Sequence, residues 1–235
     1  MVVKYIFDRT VAAIGLLFLW PVLLVVAILI MIKMPGGPAF FIQKRVGKGG
    51  KLFDCHKFRT MRVAPEPPKG ERKENSWSTV SVAGDSRITP LGATLRHYKL
   101  DELPGLWDVL RGKMSFVGPR PDVPGYADKL TGDDRRVLEL RPGITGPATL
   151  KYRLEDEMIA DWVREVKCGK IKIDDLPHGL SDQELAVWYN DNVIYPDKVR
   201  INLYYLDHYS FWKDIQMILC TVMGKKMKYA GEEMM

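Results

Sequence analysis

Asp101 and Glu102 stand side by side in the stretch LDELPGLWDVLRGKMSFVGPRP, residues 100–121, which ends on Arg120 between two prolines. Elsewhere the chain supplies bases in compact motifs: Lys57 and Arg59 in HKFRTM, Arg87 beside Asp85 in DSRITPLG, Arg96 in LRHYKLDELP and Arg141 in RPGITG. Several of these stretches are dense in proline and glycine, which hold the backbone in set turns. Arginines presented that way suit bidentate contacts to phosphate. Two carboxylates among several such bases point to metal-assisted phosphoryl transfer, a chemistry that rests on charge stabilisation and in-line positioning. The competing reading is structural, because an Asp followed by Glu also opens many ordinary helices.

The elements that must position these residues are partly visible in the pattern. Leu103, Leu106, Trp107 and Leu110 fall at i, i+3, i+4 and i+7, and Gly112 is a natural stop. This predicts a helix with Asp101 at or near its N-cap and Pro104 in its first turn, so that both acids lie at the positive helix end. AFFIQKRVGKGGKLFDCHKFRTM reads as two strands joined by a glycine-rich turn at 47–50; the glycines lack the spacing of a phosphate-binding P-loop. A Pro-, Ser- and charge-rich loop, 64–84, comes next, with a composition that suits ordering on binding. Residues 151–209 predict three helices, one opened by a capping box from Ser181 to Glu184, serving as scaffold, packing over the site or forming a partner surface. Near 210–223 the sequence places Phe211, Ile215, Ile218, Leu219 and Val222 along one helix face behind Ser210 as N-cap. That segment suits either an interfacial helix or a core helix.

Composition narrows the partners. The 235 residues carry 35 Lys and Arg against 29 Asp and Glu, a formal charge of +6 that suits an anionic partner: nucleic acid, lipid head groups or phosphorylated substrates. Cys55, Cys168 and Cys220 are few, odd in number and without CxxC spacing, which favours a reduced, cytosol-facing chain over a disulfide framework or zinc site.

Between Arg9 and Lys33 the chain has no charge. The run is longer than a secretory signal core and no A-x-A site closes it. Pro21, at its middle, removes an amide and crowds the Leu17 carbonyl. Two shapes are open: a kinked spanning helix, or a re-entrant hairpin whose halves each reach about halfway through a core of roughly 30 Å. Lys4 and Arg9 before the run, and the base-rich 33–73 after it, make both flanks look cytoplasmic.

KFRTM, DSRITPLGATLR, LDELPGLWDVLRGKMSFVGPRP and RPGITG, in that order behind an apolar N-terminus, resemble the bacterial sugar transferases. These are monotopic phosphoglycosyl transferases, and the likeness is to their compact catalytic-domain form. The resemblance implies an α+β fold: a mainly helical, membrane-associated domain with a small β-hairpin, a re-entrant helix broken at Pro21, and amphipathic interfacial helices. The expected divisions are 1–34 for the membrane hairpin, 35–150 for the catalytic core and 151–235 for a helical extension. The implied activity moves a sugar-1-phosphate from a UDP-sugar to a polyprenyl (undecaprenyl) phosphate, releasing UMP, as the first membrane step of glycan assembly. Asp101 would be the nucleophile and Glu102 the Mg²⁺ ligand, with Arg96 and Arg120 at phosphates and Lys57, Arg59, Asp85, Arg87 and Arg141 lining the substrate site. The implied location is one leaflet of the bacterial inner membrane, at its cytoplasmic face. Nucleic acid is excluded as a partner, whereas self-association or downstream glycosyltransferases stay open. Trp20 stands where many members have Ser before the proline, which weakens repair of the break by a hydroxyl and leaves the Trp20 indole N–H as an alternative donor. The alternatives are a membrane-anchored scaffold, and a glycosyltransferase that would release UDP.

Overall fold

The computed structural model describes residues 1–63, 87–171, 173, 176 and 179–234; the expected loop at 64–84 and Asp85 lie outside the described residues. The chain opens with α1 (Val2–Lys33), a helix that runs on through Pro21. Among the described residues it is the one helix long and apolar enough to cross a membrane. Lys4, Asp8, Ala12, Val26, Ile30 and Met34 are buried, with Gly15, Leu19 and Leu23 partly covered between them. Steps of three and four residues put all of these on one side. The opposite side presents Leu17, Phe18, Trp20, Val25 and Ile32, with Phe18 73% exposed.

Both ends of the covered side rest on the same body. At the N-terminal end Lys4 Nζ donates to Asp214 Oδ2 at 2.7 Å, and the Ser115 hydroxyl donates to Asp8 Oδ2 at 2.6 Å. Asp214 also accepts from the Tyr205 hydroxyl at 2.6 Å. Lys4, expected as a flanking charge, is an internal ion-pair partner, 3% exposed. Ala12 then packs with Phe53, Cys55, Val109 and Met114, while Val26, Ile30 and Met34 pack with Phe58 and Leu95. Phe53 and Phe58 belong to one strand, β2 (Leu52–Phe58), so one strand touches α1 at both of its ends.

That strand pairs antiparallel with β1 (Phe40–Val46) in unbroken register from Phe40 opposite Phe58 to Val46 opposite Leu52. The predicted glycine turn closes the hairpin, with Gly49 and Gly50 at φ of 69° and 77° where a side chain would be strained. The next helix is α2 (Pro90–His97), capped by Thr89, whose hydroxyl accepts from Gly92 N at 2.9 Å. Gly92 is obligatory: a Cβ there would lie 1.9 Å from the Thr60 carbonyl oxygen. The motif pair KFRTM and DSRITPLG is therefore one docking joint between strand and helix.

A 3-10 turn (Leu100–Glu102) leads into α3 (Gly105–Leu110). β3 (Ser115–Val117) pairs parallel with β4 (Gly143–Thr145), and α4 (Pro147–Lys151) comes after them. The extension contributes α5 (Glu155–Lys167), α6 (Asp182–Tyr189), a π turn (Asn190–Ile194), α7 (Tyr195–Asp207) and α8 (Phe211–Met223). The capping box at Ser181 is formed in full, whereas Ser210 caps α8 by position without a side-chain bond. A terminal hairpin, β5 (Met227–Tyr229) with β6 (Glu232–Met234), ends the described chain. The fold is mostly helical with small sheets, as expected for α+β, but among the described residues it holds two strand pairs beyond the one hairpin anticipated. α8 serves two surfaces at once: Asp214, Met217 and Cys220 face inward, while Trp212 and Val222 are both 79% exposed.

Removing one partner of a buried ion pair leaves the other uncompensated, at a cost of about 3–5 kcal/mol. Lys4→Met should lower unfolding stability in detergent by that order, measured by denaturant titration. A midpoint equal to that of the unsubstituted chain would show that Lys4 does not hold α1.

Candidate active site

Glu102 is the electrostatic centre. Its Oε1 accepts from Lys57 Nζ at 2.8 Å and from Arg120 Nη2 at 2.8 Å. Lys57 comes from β2 and Arg120 from the loop after β3, so the carboxylate joins two otherwise separate elements. Burial pushes the Glu102 carboxyl up, but Arg120 and Lys57 outweigh it and hold the group well below the usual carboxylate range. The Arg120 guanidinium is correspondingly pushed up by Glu102.

Asp101 is in the opposite condition. It is 8% exposed, and its Oδ1 is buried without a hydrogen-bond partner. Burial raises its carboxyl above the ordinary value, the neighbouring Glu102 charge raises it further, and Lys57, Arg96 and Lys99 oppose the shift. The expected N-cap role is not what Asp101 does. α3 begins at Gly105 with Pro104 in the cap position and no side-chain cap bond, because the chain already coils through i→i+3 turns from Lys99 onward. Lys99 itself sits in the left-handed region, φ 56°, one of two non-glycine residues there among those described. Strain of this kind persists where the surroundings impose it, and it commonly marks a functional turn.

Glycine packing sets the depth of the Arg120 loop. A Cβ on Gly118 would meet the Arg141 carbonyl oxygen at 2.2 Å, and one on Gly146 would meet the Gly118 oxygen at 2.2 Å. GPRP and RPGITG therefore interlock backbone to backbone. The pocket beside them is lined by Arg45, His56, Lys57, Glu102, Arg120 and Gly143, among others. His56 joins strand to helix, its amide donating to Asp108 Oδ2 at 2.9 Å and its ring Nδ1 pairing with Oδ1 at 2.8 Å.

The structure brings together Lys57, Asp101, Glu102 and Arg120, with Arg96 close enough to act on the Asp101 charge. Arg59 does other work: it is buried, and its guanidinium donates to the carbonyls of Met34, Gly37 and Pro38 just beyond α1. Arg141 stacks on the Tyr5 ring of α1, 3.8 Å from its centroid. Arg87 stands just before α2, its carbonyl accepting from Arg62 N at 2.9 Å. Arg45, which sequence reasoning reads only as hairpin, enters the pocket, donates to Pro121 O at 3.0 Å and keeps a buried Nε–H without a partner.

A hard divalent cation is tested by the donor set. No cluster of three or more His, Cys, Asp or Glu occurs among the described residues. Mg²⁺ does not need one, since it is commonly held by one or two carboxylates together with substrate phosphates. Adjacent Asp101 and Glu102, one with an unpaired buried oxygen, fit that manner of binding.

The chain matches the bacterial sugar transferase family over residues 1–227. It belongs to that family. It is 32% identical over 238 residues to the UDP-glucose:undecaprenyl-phosphate glucose-1-phosphate transferase of Xanthomonas campestris, covering 97% of this chain and 40% of that protein. With galactosyl transferase CpsE of Streptococcus agalactiae it shares 31% over 227 residues, 94% of this chain and 42% of the other. A putative undecaprenyl-phosphate N-acetylgalactosaminyl 1-phosphate transferase of Bacillus subtilis is 36% identical over 148 residues, 58% of this chain and 78% of the other. This sugar transferase chain thus spans about two fifths of the length of the first two relatives.

An unpaired buried carboxylate costs stability wherever it is ionised. Because Asp101 has its value raised on folding, that cost is present at neutral pH and disappears as pH falls through the raised value. Asp101→Asn should therefore unfold at higher denaturant than the unsubstituted chain at pH 7, with the gap closing in acid. A lower midpoint at pH 7 would contradict the unpaired state.

Proposed function

We propose that this chain transfers a sugar-1-phosphate from a UDP-sugar to a polyprenyl phosphate through a covalent intermediate on Asp101. One observation carries the reading: a buried carboxylate with a free oxygen stands beside a second carboxylate that two cations keep ionised. A structural acid would have committed its oxygens to a cap; Asp101 has not. Its carboxylate attacks the sugar-linked phosphorus, and UMP leaves with the bridging oxygen. The polyprenyl phosphate oxygen then attacks the same phosphorus and frees the carboxylate. Splitting one displacement into two is the ordinary gain of nucleophilic catalysis. The raised Asp101 value, caused by burial and the neighbouring Glu102 charge, makes the carboxylate more basic and hence a better nucleophile. Lys57 and Arg120 stand where the diphosphate must enter, and their hold on Glu102 keeps them ordered before substrate arrives. Glu102, with Asp101 beside it, would hold Mg²⁺, which neutralises charge on the diphosphate when bound.

The acceptor's lipid tail requires a membrane seat. In this reading α1, helical without interruption from Val2 to Lys33, enters one leaflet and returns to the same face, with Pro21, where an amide is missing, as the place at which it would bend. The support is the packing: Lys4 and Met34, at opposite ends of α1, are both buried against one body, as a return to the same face requires. Trp212, Leu219 and Val222 of α8 extend the exposed apolar surface, α8 being tied to α1 by Lys4–Asp214 and by the edge-on Phe7–Phe211 ring contact at 5.2 Å.

Purified protein given a panel of UDP-sugars and undecaprenyl phosphate should release UMP, and excess EDTA should stop it. A scaffold would release no nucleotide, and a transferase of the bare sugar would release UDP. Asp101→Asn should lose about 10³-fold or more in rate and form no phosphosugar adduct detectable by intact mass. Unchanged UMP release from that variant would remove Asp101 from the nucleophile role.

For topology, a Val2→Cys change in a background lacking the three native cysteines should stay unlabelled by an impermeant thiol reagent on intact cells. Labelling from outside would end the re-entrant reading.

A further inference from the structure

The loop that carries Arg120 is gripped from two directions. On one side β1 holds it: Arg45 Nη1 donates to Pro121 O at 3.0 Å and Val46 N donates to Asp122 O at 2.8 Å. On the other side the grip comes from the C-terminal extension, where the Tyr195 hydroxyl donates to Asp122 Oδ2 at 3.1 Å. Tyr195 is the first residue of α7, immediately after the π turn, and is itself braced. The Tyr126 ring lies 5.1 Å away, and the Tyr126 hydroxyl donates to Asp191 Oδ1 within that turn at 3.0 Å. One helical turn further on, Lys198 Nζ bonds both oxygens of Glu155, at 2.8 and 2.7 Å, pinning α7 to the start of α5.

Arg120 needs such help. Its side chain is 43% exposed, and the one side-chain bond it makes among the described residues is to Glu102. It stands between Pro119 and Pro121, whose rings fix φ, so the direction of the guanidinium depends on the placement of the loop as a unit. A π turn adds a residue to the helix and re-aims the side chains beyond it, and such turns recur at functional sites. The first side chain beyond this one is Tyr195.

We propose that the extension is part of the active site, with Tyr195 as a positioning residue that acts through Asp122 to seat Arg120 against Glu102. The proposal rests on the transferase reading above. The β1 contacts survive loss of the tyrosine hydroxyl, so the loop keeps its fold but gains play. Misplacement of a charge-stabilising group by a fraction of an ångström costs rate more than affinity.

UMP release is measured with the UDP-sugar that the unsubstituted chain turns over fastest. Tyr195→Phe should lower kcat and kcat/KM together by about tenfold, with the unfolding midpoint almost unchanged. Asp122→Ala removes the same bond from the other side and should give the same loss, so it reads the contact even if the tyrosine variant folds poorly. The deciding arm is the Arg120→Ala background. There, Tyr195→Phe should cost nothing further, because the group it seats is gone. A full tenfold loss in that background, or unchanged kcat in both single variants, would overturn the proposal. Absence of UMP release from the unsubstituted chain would instead overturn the transferase reading, and this proposal with it.

Discussion

The ion pair between Lys4 and Asp214, 2.7 Å apart and 3% exposed, joins the first helix to the last, and most of the architecture depends on it. A 32-residue apolar helix has no reason of its own to lie against a charged body. It is bound there at one end by Lys4, Asp8 and Ser115, and at the other by Arg59 reaching the carbonyls beyond its last turn. Buried charges of this kind are tolerated only when paired and hydrogen-bonded, and Asp214 meets that condition with a lysine on one oxygen and a tyrosine hydroxyl on the other. With α1 fixed, α3 can pack on it at Gly15, where a Cβ would rest 3.5 Å from Leu106. The acidic pair lies immediately before α3, so the two carboxylates are placed close to the apolar helix.

The two acids divide their duties by environment. Glu102 is fully served by cations and contributes stability that is present above its ordinary value and lost only as pH falls through its depressed one. Asp101 is left wanting, a state the fold tolerates at some cost. Neighbouring carboxylates with values pushed apart are what a site needs when one must bind charge and the other must attack. The left-handed Lys99 just before them is a second case of local strain held by a rigid surround.

Much of this was legible in the residues. The β1–β2 hairpin is dictated by alternation and its glycines, the capping box at Ser181 is formed as its spacing requires, and the proline- and glycine-rich motifs do hold backbone, at Gly92, Gly118 and Gly146. The three-residue strands were not legible, because two or three residues carry no periodicity. Arg59 and Arg141 look like ligands for phosphate, yet they meet backbone carbonyls and a tyrosine ring; a guanidinium suits all three, and sequence order does not distinguish them. Hydrophobic spacing begins at Leu103 and so points to Asp101 as a cap, but the coil starts earlier, at Lys99, and the cap position passes to Pro104. The extension's reach to the Arg120 loop depends on Tyr195 and Asp122, 73 residues apart, a pairing no local pattern announces.

The 210 residues between Lys4 and its partner also set a timetable. At ordinary translation rates, Asp214 leaves the ribosome roughly 10–40 s after Lys4. Throughout that interval the first helix is complete, apolar and without the carboxylate that neutralises its lysine. In the re-entrant arrangement proposed above, its N-terminal charge is then kept from crossing only by the aqueous phase and the lipid head groups. The final arrangement is sealed when α8 arrives, so a helix made late is the latch for one whose lysine was made 210 residues earlier. Truncated or stalled chains lacking α8 would carry the apolar segment without its closure, and would be natural targets for quality control.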